Sequence, residues 1–100
     1  MQFYNTDINV AMQFTIYEYV DNIKTIRNIS NATIVLLVAG TGVERGCDII
    51  DGPNGRCNYN TVEDDFIAGS YTAQLRITIP TEGTFNTNNF VFTVLQSVQI

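Results

Sequence analysis

The sequence predicts an all-β protein, an antiparallel sandwich of about seven short strands. Three observations carry that expectation. Apolar and polar residues alternate with a period of two along most of the chain, as in strands with one face in a core and one in water. No window of about ten residues sustains the 3.6-residue period of an amphipathic helix. Turn-forming residues recur between the alternating segments, at Asp21–Asn22, Gly40–Gly42, Asp51–Gly55, Ala68–Gly69 and Pro80–Gly83.

Each element follows from its own residues. The first expected strand is residues 2–6. In residues 10–20, Val10, Met12, Phe14 and Ile16 alternate against Gln13, Thr15 and Glu18, which puts Tyr17 and Tyr19 outside the apolar face or at its end. Residues 32–39 are apolar on both faces, as in a central or interfacial strand. There Val35 and Leu37 point away from Ile34, Leu36 and Val38, so an otherwise open sheet would need a second subunit to cover them. Residues 43–50 and 56–61 flank DGPNG and fold back as a hairpin, with Gly55 able to take the positive φ that closes such loops. Residues 70–79 alternate Tyr71, Ala73, Leu75, Ile77 and Ile79 against Thr72, Gln74, Arg76 and Thr78, and residues 89–98 form a last apolar strand. The best helical candidate, TVEDDF at 61–66, is a single turn at most.

Composition narrows the function. A chain of 100 residues with 45% hydrophobic content makes one folded domain. Charged residues are 15%, well below the usual share of about 25%, so the polar surface is built from uncharged groups that are easier to desolvate against a partner. The net charge is −5, and Lys24, Arg27, Arg45, Arg56 and Arg76 form no basic run. Nucleic acid and anionic membrane surfaces are therefore not expected partners. The longest apolar run, ATIVLLVAG, is less than half of the roughly 20 residues that a membrane span needs. The start, MQFYNTDINV, lacks a basic and apolar leader, so synthesis and retention in a cytoplasm, or release by a route other than secretion, is the expectation. The sequons at Asn28 and Asn31 are then expected to stay unmodified.

Catalytic chemistry is sparse. Without histidine no Ser-His or Cys-His dyad can be built, and no enzyme activity or cofactor is expected. The run Glu63–Asp64–Asp65 reads first as a solvated turn or corner cap, and less well as a calcium cluster or a carboxylate pair for hydrolysis. Asp48, Asp51 and Asn54 offer oxygens too, but the turn itself accounts for Asp51 and Asn54.

Cys47 and Cys57 share parity with Ile49 and Tyr59, which places all four on the inward face of the hairpin. Two reduced thiols packed as small hydrophobes are favoured. A cross-hairpin disulfide is the alternative that the spacing permits. A metal clip is disfavoured, because two thiolates without histidine fall short of an ordinary zinc site.

The uncharged surface is the more informative one. TFNTNN surrounds Phe85 with Asn86, Asn88, Asn89, Thr84 and Thr87, and Phe3, Tyr4, Tyr17 and Tyr19 add aromatics near the start. Exposed aromatics among amides suit a protein interface or the stacking of a sugar, unless they simply cover the sandwich edge. The candidate interface residues are Tyr17, Tyr19, Val35, Leu37, Phe85 and Asn88.

EDDFIAGSYTA adds a more specific motif. Gly69 precedes Tyr71, and Tyr71 stands two residues before the inward Ala73, where immunoglobulin-like domains place a tyrosine that bonds back to the backbone and locks a corner. Ala73 replaces the cysteine of that pattern, and Ile67 stands where an acidic residue is usual. Taken in order, NISNATIVLLV, CDIIDGPNGRCNY (with Tyr59 after Asn-Gly), AGSYTAQLRIT and FVFTV resemble the immunoglobulin-like domain that opens phage baseplate upper proteins, a domain shared by small virion proteins of tailed phages. The resemblance spans residues 10–98. It departs at Ile29–Ser30–Asn31, where Leu-Thr-Gly is usual, and at Ile100, where baseplate proteins continue into receptor-binding segments. The resemblance implies an immunoglobulin-like fold and a non-enzymatic virion protein, made in a bacterial cytoplasm and attached in many copies to a larger capsid protein. A tail, neck or baseplate adaptor is the neighbouring expectation, a carbohydrate- or host-surface-binding module is another, and self-association accompanies them.

Overall fold

The computed structural model describes residues 2–5, 10–61 and 66–96, except the side chain of Val43. Within them the fold is an all-β, immunoglobulin-like sandwich. In order the strands are β1 (Gln2–Tyr4), β2 (Ala11–Thr15), β3 (Tyr17–Val20), β4 (Ile23–Ile26), β5 (Thr33–Val38), β6 (Val43–Gly46), β7 (Asp48–Asp51), β8 (Arg56–Asn60), β9 (Gly69–Ile79), β10 (Gly83–Asn86) and β11 (Phe90–Leu95). Strand occupies every expected segment. The segments at 10–20 and 43–50 are each broken in two, at Ile16 and Cys47, and β4 and β10 are added as hairpin arms. The single turn expected at TVEDDF and the Glu63–Asp64–Asp65 run fall at 62–65, outside the described residues.

The first sheet runs β1-β11-β9-β5-β6, with β10 also on β9. All its pairs are antiparallel except β1 on β11. The second sheet is β2-β8-β7, and β3 with β4 forms a separate ribbon. β9 is the spine, because its eleven residues alternate without a break in the core-facing series Ala73, Leu75, Ile77 and Ile79. Against it pack Ile34, Leu36, Val38, Phe92 and Val94 of the same sheet and Met12, Ile16, Cys57 and Tyr59 from the side of the second. Each large apolar side chain so buried contributes about 1.5–3 kcal/mol.

One end of the core is aromatic. Phe92 lies 6.0 Å from Phe3, 5.3 Å from Phe66 and 5.3 Å from Tyr71. Phe3 is thus buried core rather than an exposed interface aromatic, since the parallel pairing of β1 with β11 turns its ring onto Phe92. Tyr71 donates its hydroxyl hydrogen bond to the Ile67 carbonyl at 2.6 Å, which ties the chain entering the core to the start of β9. Gly69 opens that strand opposite Val94.

The flank of β9 that carries β10 and β11 holds an irregularity. Phe85 pairs with Ile77, and Phe90 with Ala73. Between them the Thr87 amide donates to the Leu75 carbonyl at 2.9 Å, and Thr87 Oγ1 accepts from the Leu75 amide at 2.9 Å. Asn88 and Asn89 therefore stand against the single residue Gln74, which is a β-bulge. The extra residue flips the strand's parity. Before the bulge odd positions such as Phe85 share the inner face with Ile77; after it, Phe90, Phe92 and Val94 do.

Candidate docking cleft

The β3–β4 ribbon follows from a short sequence, YEYV-DN-IKTI. Asp21 and Asn22 take φ of 51° and 64°, the left-handed pair of a two-residue turn whose twist matches the flanking strands. Tyr17 opposes Ile26 and Tyr19 opposes Lys24, so these four share one face; Glu18, Thr25, Val20 and Ile23 share the other. Both faces are open. Tyr19 is 72% exposed, Ile23 67% and Val20 50%.

A two-stranded ribbon is marginal in water by itself, so its base matters. The Ile16 amide donates to the Gly55 carbonyl at 2.8 Å, and the Arg27 amide to the Ile16 carbonyl at 2.9 Å. Gly55 has φ of 69°, and a Cβ there would lie 2.7 Å from the Arg27 carbonyl oxygen and 2.8 Å from that of Ile16, so only glycine closes this junction. The Arg27 guanidinium then bridges Glu18 on β3, at 3.3 Å, and Glu82 in the β9–β10 turn, while lying 5.7 Å from the Phe85 ring centroid. The hydrogen bond to Glu82 pushes the Arg27 pKa further up, so this brace keeps its charge. The ribbon is thereby fastened to the far sheet.

The fastening leaves a cleft of about 610 Å³. One wall is Gln13, Phe14 and Thr15 of β2 with Tyr17, Tyr19 and Lys24 of the ribbon; the other is Phe85, Asn86 and the bulge residues Thr87, Asn88 and Asn89. Its floor is core: Phe14 and Phe90 meet with centroids 5.1 Å apart, beside Ile16 and Leu75. The cleft exists because Phe85 lies on the inner face of the first sheet without full cover, and its ring stays 38% exposed. Lys24 is the lining's one ionised group, and its Nζ rests 4.2 Å from the Tyr17 ring centroid. Aromatic faces and neutral amides make up the rest. Such a lining accepts an uncharged ligand at little desolvation cost.

Of the candidate interface residues, the structure brings Tyr17, Tyr19, Phe85 and Asn88 together at this cleft. Val35 and Leu37 lie elsewhere, half-buried on the outer face of the first sheet. Val35 is opposite Arg76 and Leu37 opposite Glu44, and those two charges pair across it at 3.4 Å. Sequence reasoning missed the β4 arm, the Arg27 brace and the Phe14–Phe90 floor. The alternation of YEYV and IKTI about Asp21–Asn22 was the available signal for the arm.

Cys47 and Cys57 are free thiols. Cys57 is buried opposite Ile49 on β7. Cys47 sits where the chain leaves β6 for β7, its amide donating to the Ile34 carbonyl at 2.9 Å. Among the described residues no three His, Cys, Asp or Glu side chains gather in a way that would hold a metal ion.

No protein-family model matches the chain, and no curated protein matches it. Among solved structures, the crystal structure of CopC from Methylosinus trichosporium OB3b is similar over 72% of this chain and 69% of its own, at 20% identity and a TM-score of 0.44. Against that finding the expected virion role is corrected. The solved structure that this chain is similar to is CopC, and the assignment to a tailed-phage particle is withdrawn together with the virion location. A likeness at this level carries no function of CopC to this chain either. The functional reading rests on the cleft and the ribbon.

Proposed function

We propose that the chain is a non-catalytic docking module that binds a partner protein through the β3–β4 ribbon and the adjoining cleft. One observation carries this reading: the ribbon is covered on neither face, yet it presents Tyr19, Val20 and Ile23 at half or more of their full exposure. Single exposed apolar residues are ordinary, but a braced arm that exposes Tyr19 on one face and the paired Val20 and Ile23 on the other marks an interaction surface. The aromatics supply contact area at low entropic cost, and the neutral lining loses little hydration on burial. The Arg27 brace presents the arm in a fixed pose, which lowers the ordering cost of binding.

Lys24 is the only lysine in the chain and stands on this arm, so an amine-reactive cross-linker reports on the site directly. Cross-linking mass spectrometry in extracts of the source cells is expected to join Lys24 to one recurring partner protein. The double variant Val20→Thr/Ile23→Thr, which keeps the charge and the strand propensity, is expected to lose that product. Cross-links that survive the double variant unchanged would remove the ribbon from the binding surface.

A further inference from the structure

We infer that the partner enters as an added strand: an extended, uncharged segment of another polypeptide pairs with the open edge of β2 and turns alternate side chains into the cleft. This rests on the docking reading above and specifies its chemistry.

Backbone geometry comes first. Thr61 donates its amide to the Val10 carbonyl at 3.0 Å, and Ile16 donates its amide to the Gly55 carbonyl at 2.8 Å, so both ends of β2 bond toward β8 at even positions. Hydrogen bonds of an antiparallel pair alternate along each strand. The amides and carbonyls of Val10, Met12 and Phe14 and the amide of Ile16 therefore point at β8, the Ile16 carbonyl is taken by the Arg27 amide, and the backbone groups of Ala11, Gln13 and Thr15 point the other way. Among the described residues no strand lies on that side, since β2 ends its sheet. The successive residues Gln13, Phe14 and Thr15 all line the cleft, as a strand does when its edge borders the space.

Edge protection points the same way. Natural sheets blunt their edges with charges, prolines or bulges. β7, at the opposite edge of this sheet, has all but the proline: a register shift between Ile49 and Asp51, and two aspartates in DIID. β2 reads AMQFT, with no charge, no proline and an unbroken register against β8. An undefended edge beside an aromatic-floored cleft is the arrangement that β-strand addition uses, with main-chain bonds giving affinity and pockets for alternate side chains giving specificity.

The lining sets the chemistry of the segment. Aliphatic or aromatic side chains at alternate positions would reach the Phe14–Phe90 floor. Asn86, Asn88 and Asn89 on the far wall would receive small polar groups between them. A cationic side chain would meet Lys24 and find no free carboxylate, because Glu18 and Glu82 are held by Arg27, and an anionic one would have to draw Lys24 off the Tyr17 ring at the cost of its own hydration.

A yeast-displayed random-peptide library selected on the intact protein tests the inference. Enriched peptides are expected to be uncharged, with apolar residues alternating against Ser, Thr, Asn or Gln. N-methylating every second backbone amide of an enriched peptide should weaken binding about tenfold or more in one register and leave the other register unaffected. Gln13→Pro removes an outward amide and should abolish binding with circular dichroism unchanged; the methylated peptides keep the test valid if that variant fails to fold. Equal loss, or no loss, in both methylation registers overturns strand addition. So does an absence of enriched peptides accompanied by neutral-glycan ligands that compete for the cleft. If enriched peptides bind through Val20 and Ile23 but ignore the β2 edge, the docking reading stands and strand addition falls. If they add to β2 while the Lys24 cross-links fail, the reverse holds.

Discussion

Cys47 and Cys57 are made harder to ionise by folding. Burial, reinforced by the neighbouring Cys57 sulfur, pushes the Cys47 thiol up to about 12 from an ordinary value of 9.0, and burial pushes Cys57 up to about 11. A raised folded-state pKa means that the native state holds its proton where the unfolded chain has lost it, so the thiols' contribution is fully present below pH 9.0 and is lost above it. Under reducing conditions each thiol should lower the folding constant by up to about tenfold per pH unit, over pH 9–11 for Cys57 and 9–12 for Cys47. Urea unfolding of the wild type and of a Cys47→Ala/Cys57→Ala variant, across that range, isolates the effect from other alkaline titrations. The double variant should start less stable, through the cavity it leaves, and lose less stability with rising pH. Parallel declines would mean that water reaches both sulfurs. The same burial makes these side chains poor nucleophiles at neutral pH, which fits packing roles better than chemistry.

At the scale of elements, the bulge at Asn88–Asn89 does the most. It sets which half of GTFNTNNFVFTVL faces the core. Deleting Asn89 would restore simple alternation through Gly83–Leu95, send Phe92 and Val94 to the outer face and bring Val91 and Thr93 inward. Phe92 is fully buried and Val94 is 2% exposed, so the exchange should cost several kcal/mol and leave the chain unfolded at room temperature, as thermal melting would record. An Asn89→Ala variant, which keeps the residue count, should melt near the wild type. This element also shows where sequence reasoning reached and stopped. Strands such as β5 and β9 were legible because a two-residue period is imposed by burial on one face, and nothing interrupts it. A bulge breaks the period by one residue, so apolar residues on either side of it fall out of phase and read as a loop around Phe85. The β4 arm was missed for the opposite reason. It buries nothing, so its only signal was the short alternation of YEYV and IKTI about the Asp21–Asn22 turn, with no apolar face to anchor it to a core. Four of the candidate interface residues were legible as aromatics and amides out of place for a core. Their convergence was not, because it depends on the Arg27 brace and the bulge, which join residues far apart in the chain.

Across the whole molecule, low charge density and an apolar arm act against each other. A net charge of −5 at neutral pH gives copies of the chain a mutual repulsion that opposes contact between their exposed ribbons. That repulsion vanishes near the isoelectric point of about 4.2, where the charged groups sum to zero while Tyr19, Val20 and Ile23 remain on the surface. Light scattering at low ionic strength should therefore show reversible self-association as pH falls toward 4.2, and dispersal again well below it as net positive charge builds. Added salt at neutral pH should promote association in the same direction by screening the repulsion over a shorter length. The Val20→Thr/Ile23→Thr variant has the same net charge and isoelectric point, so any difference from the wild type reports the arm and not the charge. It is expected to stay dispersed under both conditions. Equal association of the two proteins would place the cohesive surface elsewhere, with the outer face around Val35 and Leu37 next to be tested by Val35→Thr and Leu37→Thr.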